Sequence, residues 1–451
     1  MSRRAALRRR AARPSRDRAP GKREAPALIP WTPSFGWALC DVGDVDGDGA
    51  SDFVVGAPSG TTSYVDGTPR RTFSSLDPGS AWLLSGRDLS PIRAWAGHLP
   101  RDEFAYSVEA ARDLDSDGRA DVLVGAPGAG SMSAFSTAYG KGIFTVHSED
   151  PDVRFGHTLR SVDDMDGDGH EDFLIGAPAG AKSKDTPGKV VVVSGRTRQV
   201  VRTIAAPDGD ASFGFSVVGG LRIDGDGIPE VVVGSPFAKA AHPGSSGEVR
   251  VFSGHDGRQL ARIRAEEHRS SFGFSLCLVA DLDGDGREDL AVGAPAAGTE
   301  RGGVVDVLST ATWKPLRTFG NERGEVGVGW YDDENRFGYS LSASGDLDGH
   351  GARDLVVGAP TGFWQGGRLG WAEAFSGRDG HSLRKFAWKG DGWAPSLFGN
   401  SVTITKGMDR DALSDVLIGA PSIVTSAGLQ VASGGTGEVR EAKIADLSPP
   451  K

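Results

Sequence analysis

Cysteine, methionine and histidine are scarce in this chain of 451 residues, which has two cysteines, four methionines and nine histidines. Cys40 and Cys277 each lie five residues after the phenylalanine of a Phe-Gly pair, at equivalent places in two repeats that are not neighbours. Because a disulfide needs Cα atoms within about 7 Å, we expect two buried free thiols. The sequence therefore excludes a disulfide-stabilised fold, and the thiols say little about the redox compartment.

Long apolar runs and catalytic motifs are also missing. No stretch approaches the roughly 20 apolar residues that span a membrane, so we expect no transmembrane segment. The histidines are scattered, and neither a Gly-x-Ser-x-Gly elbow nor a His-Glu-x-x-His motif occurs. We therefore predict no catalytic residues, and the sequence favours a protein that is not an enzyme.

Net positive charge is found only at the start of the chain. Residues 1–24 carry nine arginines and one lysine against two acidic residues, a charge of +8; the whole chain carries −10, so the remainder carries −18. An acidic body argues against nucleic acid as a partner. Residues 1–30 lack the apolar segment of a secretory signal, and we expect them to form a basic, disordered tail.

Glycine, by contrast, is abundant at 66 residues, and much of it belongs to a repeated motif. Seven times the chain runs Phe-Gly (once Phe-Ala), about eight residues, an aspartate-rich loop, and a short apolar run ending near Gly-Ala-Pro. The motif starts at Phe35, Phe104, Phe155, Phe213, Phe272, Phe337 and Phe398. Seven units of about 60 residues predict an all-β fold, a seven-bladed β-propeller of four-stranded antiparallel blades over residues 31–445, followed by a tail at 446–451.

The fifth unit illustrates the predicted blade. Alternating residues 271–278 predict the first strand and 281–289 a loop, and 290–293, 303–308 and 316–319 predict the next three strands. In such a meander the loop between strands one and two shares a face with the turn between strands three and four. The other loops, which vary most in length, share the opposite face, and variable loops on a rigid scaffold often carry function. An outer strand from residues 438–444 or 27–31 is expected to close the ring.

The aspartate-rich loops have the pattern of calcium sites. Calcium takes six to eight oxygen ligands, and alternate aspartates around a sharp glycine turn can supply them, with a backbone carbonyl at position seven. Four loops are complete, at positions one, three, five and nine. Their predicted ligands are Asp44, Asp46, Asp48 and Asp52; Asp113, Asp115, Asp117 and Asp121; Asp164, Asp166, Asp168 and Asp172; and Asp281, Asp283, Asp285 and Asp289.

The other three loops depart from this pattern. Unit six keeps Asp346, Asp348 and Asp354 but has His350 at position five, and we expect it to bind calcium weakly. Units four and seven are expected to bind none. Unit four begins with Arg222, which could replace the cation by pairing with the carboxylates of its own loop; unit seven begins with Gly407. About four Ca²⁺ sites, and a fifth weak one, are therefore predicted.

The Phe-Gly, Asp-x-Asp-x-Asp-Gly and Gly-Ala-Pro motifs resemble the FG-GAP repeat of the integrin α-chain N-terminal propeller and of bacterial FG-GAP and VCBS-type proteins. The resemblance covers about residues 31–445. It implies a propeller with calcium in its aspartate loops and a role in adhesion or ligand binding, outside the cell or at its surface. The integrin leg domains and membrane helix are absent from this sequence, so the integrin partner does not follow from the resemblance.

Three functions are compatible with these features. The favoured one is a monomeric, non-enzymatic scaffold that binds a protein or polysaccharide through the variable loop face, with Trp330, Trp364 and Trp393 as candidate partner-binding residues. The alternatives are a propeller enzyme, such as a polysaccharide lyase or phospholipase, and a lectin with one sugar site per blade. Unequal loops count against the lectin, and the tryptophans could instead be core residues.

Overall fold

The computed structural model describes residues 34–58, 61–65, 68–72, 78–180, 186–239, 246–265, 270–297, 302–320, 336–361, 363–364, 367–368, 370–387, 397–408, 413–421, 428–433 and 439–443. These residues form strands, turns and loops, with no helix among them. The strands group into seven four-stranded antiparallel sheets. The predicted seven-bladed β-propeller is thereby confirmed.

Each blade is built from one continuous stretch of chain. The first blade contains β1 (Ala38–Gly43), β2 (Asp52–Ala57), β5 (Ser80–Leu84) and β6 (Pro91–Ala96), with a separate ribbon of β3 (Thr61–Val65) and β4 (Thr68–Thr72) between its second and third strands. The second contains β7 (Ser107–Ala111), β8 (Asp121–Ala126), β9 (Ser131–Phe135) and β10 (Gly142–His147). The third contains β11 (Thr158–Val162), β12 (Asp172–Ala177), β13 (Lys189–Ser194) and β14 (Val200–Ala205).

The remaining blades follow the same order. The fourth contains β15 (Ser216–Leu221), β16 (Glu230–Lys239), β17 (Ser246–Phe252) and β18 (Gln259–Arg264), and the fifth β19 (Ser275–Val279), β20 (Asp289–Ala294), β21 (Val304–Leu308) and β22 (Pro315–Gly320). The sixth contains β23 (Ser340–Ser342), β24 (Leu355–Ala359), β27 (Trp371–Phe375) and β28 (Ser382–Ala387), with a ribbon of β25 (Phe363–Trp364) and β26 (Gly367–Arg368). The seventh contains β29 (Ser401–Lys406), β30 (Ser414–Ala420), β31 (Gly428–Ser433) and β32 (Val439–Lys443).

Strand boundaries in the fifth blade agree with the sequence prediction except at the first strand, which begins at Ser275 rather than at Ser271. The amide of Phe274 donates to the carbonyl of Ser271 at 3.1 Å, which closes a turn before the strand. Gly273 in this turn has a φ of +85°, a backbone conformation that disfavours side chains. Ala105 takes the same place in the second unit at a φ of +65°, and it is strained there.

The motif phenylalanines fill the space between blades. The buried residues form seven apolar clusters, and each cluster joins two neighbouring blades. Phe155 of the third blade packs with Leu123 and Met132 of the second, and Phe35 of the first packs with Leu417 and Leu429 of the seventh. Full burial of such a side chain contributes about 1.5–3 kcal/mol. A single blade therefore leaves half of its apolar surface uncovered, and the ring is the stable unit.

A belt of hydrogen bonds runs around the axis, and the sequence analysis did not foresee it. The residue three positions after the motif phenylalanine carries a hydroxyl in six units, and this hydroxyl donates to a carbonyl of the next blade at 2.6–2.9 Å. Ser401 of the seventh blade donates to Gly36 of the first at 2.8 Å. Beside this bond, a Cβ on Gly419 would lie only 2.0 Å from the same Gly36 carbonyl oxygen. The glycine of the Gly-Ala-Pro segment is thus required by the close approach of the next blade.

The first and seventh blades meet at this junction. Of the two segments predicted to close the ring, residues 439–443 form the outer strand β32, which pairs with β31. The other, 27–31, lies outside the described residues, as do the tails at 1–30 and 446–451. Contact between the first and seventh blades is therefore made by side chains and by the belt, since β1 and β29 belong to separate sheets.

Both cysteines are free, as predicted, but Cys277 is only half-buried, whereas two buried thiols were expected. Cys40 is buried in the cluster between the first two blades. Burial raises the pKa of the Cys277 thiol to about 12 and that of the Cys40 thiol well above its ordinary value. Neither thiol is nucleophilic at neutral pH.

Candidate metal centres and a pocket on the opposite face

The first aspartate loop, between β1 and β2, is folded around its own carboxylates. Asp44 accepts hydrogen bonds from the amides of Gly47 and Asp48 through Oδ1 and from Gly49 through Oδ2, at 2.7–3.1 Å. Asp46 and Asp48 each accept one from the residue two positions on. These bonds turn the side chains at positions one, three and five towards one point.

The position-nine aspartate is the buried anchor of the loop. Asp52, the first residue of β2, accepts hydrogen bonds from the amides of Val45 and Asp46 through Oδ2 and from Gly86 through Oδ1. Burial raises its pKa to about 6, because the charged form loses its hydration. Asp121 and Asp172 occupy the same place, and burial raises their pKa values to about 6 as well.

Among the residues that the structure describes, five loops bring three carboxylates together, with one oxygen of each carboxylate within 4.8 Å of the others. The groups are Asp44, Asp46 and Asp48; Asp113, Asp115 and Asp121; Asp164, Asp166 and Asp172; Asp281, Asp283 and Asp285; and Asp346, Asp348 and Asp354. The remaining predicted ligands, Asp52, Asp117, Asp168 and Asp289, belong to the same loops. All five groups come from loops that the sequence identified, including the sixth unit, where a weaker site was expected.

The donor sets fit a hard divalent cation. All ligand atoms are carboxylate oxygens, which calcium prefers. Asp121 and Asp348 belong to two of these groups, and each has a buried oxygen, Oδ1 and Oδ2 respectively, that accepts no hydrogen bond from the part of the chain that the structure describes. A buried oxygen without a donor is costly, and a bound cation would satisfy it.

The fourth loop is held without such a cluster, and its arginine does not act as predicted. Arg222 donates to Asp163 of the third blade at 2.7 Å and to the Gly227 carbonyl at 3.1 Å, so the prediction that it pairs with its own loop carboxylates was wrong. Arg258, from the neighbouring turn, instead binds Asp224 at 3.2 Å. The longer Glu230 takes over position nine by accepting from the amides at 223 and 224.

The sixth and seventh loops differ from each other. In the sixth, His350 contacts Asp348, with 2.8 Å between Nδ1 and Oδ1, and thereby occupies one lone pair of a predicted ligand. In the seventh, Asp415 keeps the position-nine role and accepts from the amide of Met408 at 2.8 Å. Residues 409–412 of that loop lie outside the described part of the chain.

The turn between strands three and four holds three of the loops, a role that the sequence analysis did not predict. Ser85, Ser136 and Ser194 donate their hydroxyls to the position-five aspartates Asp48, Asp117 and Asp168 at 3.2–3.3 Å. These contacts confirm that the aspartate loops share one face with the three-to-four turns.

A ring of aromatic side chains surrounds the axis at the opposite face. Its members are the residues that follow the motif Phe-Gly or Phe-Ala pair: Trp37, Tyr106, His157, Phe215, Phe274 and Tyr339. Neighbouring rings lie 4.6–5.6 Å apart between centroids, and we call them the aromatic girdle. Asn400 takes the seventh place and donates to the carbonyl of Trp37 at 3.1 Å. The sequence carried this signal at a fixed position, but the analysis of the motif stopped at the glycine.

One hydrogen-bond chain fixes part of the girdle. His157 Nδ1 lies 3.1 Å from the carbonyl oxygen of Phe215, an acceptor, so this nitrogen carries the proton. Its Nε2 then accepts from the hydroxyl of Tyr106 at 3.3 Å. The ring nitrogens of His157 and the hydroxyl of Tyr106 are thereby hydrogen-bonded within the protein.

The girdle lines a cavity of about 660 Å³ on the variable face. Its other walls come from the two-to-three loop of the third blade, which supplies Pro178 and Ala179, from Phe237 near the end of β16, and from the connections between blades, which supply Glu103, Arg154, Asp210 and Arg336. Arg154 forms an ion pair with Glu103 and lies 5.2 Å from the ring centre of Tyr106. Asp210 accepts from the amide and hydroxyl of Ser212 at 2.9–3.0 Å. The cavity thus combines aromatic surface with a few fixed polar groups.

The tryptophans predicted to bind a partner are not part of this description. Trp330 and Trp393 lie outside the described residues, and for Trp364 only the backbone is described, in the short strand β25. Their role stays a prediction.

No helix suited to crossing a membrane is present in the described part of the chain.

The FG-GAP repeat matches four segments of the chain, residues 104–147, 155–193, 213–252 and 272–308. Integrin alpha-5 of Xenopus laevis is 30% identical to this chain over 224 residues, which cover 45% of this chain and 20% of the relative. Integrin alpha-V of Gallus gallus is 31% identical over 205 residues, which cover 44% of this chain and 19% of the relative. The chain thus spans about a fifth of the length of these curated relatives.

Among solved structures, a protein of unknown function from Bacteroides caccae has a TM-score of 0.41 and 13% identity, over 69% of this chain and 90% of that one. The repeat matches and the integrin relatives agree with the ring of blades described above. Four segments of the chain match the FG-GAP repeat, and the chain is similar to integrin alpha-5 and integrin alpha-V over less than half of its length.

Proposed function

We propose that this protein is a calcium-stabilised, non-enzymatic scaffold that binds a protein or polysaccharide ligand through its variable loop face. The observation that carries the proposal is the separation of two kinds of site. Five acidic clusters lie in the aspartate loops, and the aromatic pocket lies at the other end of the same inner strands. One face is suited to hold metal ions, and the other is suited to hold a ligand.

In this proposal, Ca²⁺ binds the complete loops of units one, two, three and five, and binds more weakly in unit six. The carboxylates at positions one, three, five and nine hold the ion, and its charge offsets their mutual repulsion. At ten times the dissociation constant, each site adds roughly 1.4 kcal/mol to the free energy of unfolding. Several such sites are comparable to the net stability of a domain.

The polar groups in the pocket support binding rather than catalysis. Glu103 is held by Arg154, and Asp210 by Ser212, so both carboxylates are kept as hydrogen-bond acceptors. An acid–base pair would instead need one carboxyl group kept protonated and aimed at the substrate. Adhesion or ligand binding by a monomer, outside the cell or at its surface, follows the resemblance to integrin α chains, and millimolar calcium is found there.

Blocking one face at a time tests the proposal. In a Cys40→Ala, Cys277→Ala background, a single new cysteine can be coupled selectively to a maleimide polyethylene glycol. Phe237 on the variable face and Tyr139 in a three-to-four turn on the aspartate face are equally exposed, at 61% and 62%, and form a matched pair. The protein would be screened in calcium against purified secreted proteins and polysaccharides.

We expect polymer at Phe237→Cys to abolish binding of the ligand found, and polymer at Tyr139→Cys to leave it intact. The reverse result would place recognition on the aspartate face and contradict the proposal. Conversion of the ligand to a new product would contradict the non-enzymatic part.

A further inference from the structure

The pocket itself indicates a class of ligand. We propose that the girdle pocket binds a neutral saccharide, as a free oligosaccharide or as a glycan of a glycoprotein. The inference rests on the proposed function, because it names the ligand class of the variable face. It differs from a lectin with one site per blade, since here a single site lies on the axis.

The size of the pocket suits a small organic ligand or a short oligosaccharide. Its volume of about 660 Å³ falls within the range of roughly 300–1,000 Å³ for such sites. Six blades contribute to its aromatic wall through the girdle. One site of this kind therefore exists per ring, whatever the sequence of the individual blades.

The charges around the pocket balance one another. Two carboxylates, Glu103 and Asp210, and two guanidinium groups, Arg154 and Arg336, line it. The Glu103–Arg154 pair is largely buried, with side-chain exposures of 5% and 29%. A cationic ligand would compete with Arg154 for the ring of Tyr106, and an anionic ligand would meet the two carboxylates. The balance favours a ligand without net charge.

An exposed aromatic residue supplies the apolar contact. Phe237 is 61% exposed although it lines the pocket, and it packs edge-on against Phe215 of the girdle with centroids 5.6 Å apart. A pyranose ring has an apolar C–H face and a rim of hydroxyls. The aromatic surface can stack on that face, and the carboxylates, guanidinium groups and Ser212 can bind the hydroxyls. Neutral saccharides combine both properties without carrying charge.

The test is a printed array of oligosaccharides ending in glucose, mannose, galactose or N-acetylglucosamine, with acidic glycans and short arginine-containing peptides as separate arms. The full chain is applied in calcium. Hits are measured in solution by calorimetry with the free oligosaccharide, and with a glycoprotein carrying it before and after enzymatic deglycosylation. Comparing the free oligosaccharide with the glycoprotein before and after deglycosylation distinguishes a free saccharide from a protein-linked glycan as the ligand.

We expect binding of at least one neutral oligosaccharide, and a loss of affinity of at least about fivefold in Phe237→Ala and Phe237→Leu, as expected for removal of one aromatic contact. Tyr139→Ala, the equally exposed aromatic on the other face, should bind like the wild type. Unchanged melting temperatures show that the variants are folded.

The inference is overturned if no neutral saccharide binds, if only acidic glycans or arginine peptides bind, or if binding is insensitive to both Phe237 variants. A protein ligand that is blocked by polymer on the variable face but survives deglycosylation would overturn the saccharide and leave the proposed function standing.

Discussion

The two faces of the ring are built from the same seven blades but in opposite ways. On the aspartate face, the loops repeat the same contacts: in units one and three, for example, a position-nine carboxylate accepts amides of its own loop, and a serine of the neighbouring turn reaches position five. On the variable face, six units each contribute one ring to the pocket, and tryptophan, tyrosine, histidine and phenylalanine side chains follow one another around the girdle.

This difference separates stability from recognition. A repeated contact can be multiplied around the ring, and each copy adds a similar increment to the free energy of unfolding. A single pocket on the axis gains its chemistry from the differences between units. We therefore expect changes on the aspartate face to act on stability and changes on the variable face to act on binding.

Removal of calcium should produce the largest effect. In excess chelator the melting temperature should fall well below its value in millimolar calcium, because four or more sites at ten times their dissociation constant together contribute about 6 kcal/mol. Thermal unfolding followed by circular dichroism measures the shift, with magnesium as the control for ionic strength. Identical melts with and without chelator would mean that the clusters are ordinary acidic turns.

Acidification should remove the calcium effect. Burial raises the pKa of Asp52, Asp121 and Asp172 from about 4 to about 6 in the folded protein. In chelator, these groups contribute stability that is present below about pH 4 and is lost as the pH rises through 6. Calcium needs the ionised carboxylates, so the stabilisation by calcium should be full at pH 7.5 and decline as the pH falls through 6. A calcium shift that is equal at pH 5 and pH 7.5 would exclude these aspartates as ligands.

A pair of matched substitutions should distinguish a loop with a cluster from one without. Asp285 in unit five and Asp226 in unit four both stand at position five, and each accepts one amide, from Arg287 at 2.9 Å and from Ile228 at 2.8 Å. Asp285→Asn should cost about 1.4 kcal/mol in calcium, the contribution of one site. Asp226→Asn should change stability by less than about 0.5 kcal/mol. Denaturant titrations in calcium and in chelator measure both; equal losses in the two variants would argue against a metal in unit five.

The ring junction should show a smaller effect. Ser401→Ala removes the bond from the seventh blade to Gly36 and should cost about 1 kcal/mol, as for one buried hydrogen bond. Ser275→Ala removes the equivalent bond to Gly338, inside the continuous chain, and should cost a similar amount. A much larger loss in Ser401→Ala would show that the closing junction is weaker than the others.

The fold was predictable because its determinants are local and repeated. Phe35 and its six equivalents, the glycines that follow six of them, and the aspartate loops recur at fixed spacing, so blade number and strand order could be predicted from the chain. The partner of Arg222 could not, because Asp163 lies in another blade, 59 residues away. The pocket could not be predicted either, because it forms only where Trp37 and Tyr339, far apart in sequence, approach the same axis.

The number of calcium ions bound per chain tests the central claim most directly. Equilibrium dialysis at 1 mM free calcium, at pH 7.5, should give four to five ions per chain, and Asp285→Asn should lower the count by one while Asp226→Asn leaves it unchanged. A count of zero or one in the wild-type protein would contradict the account that the aspartate face is a ring of calcium sites.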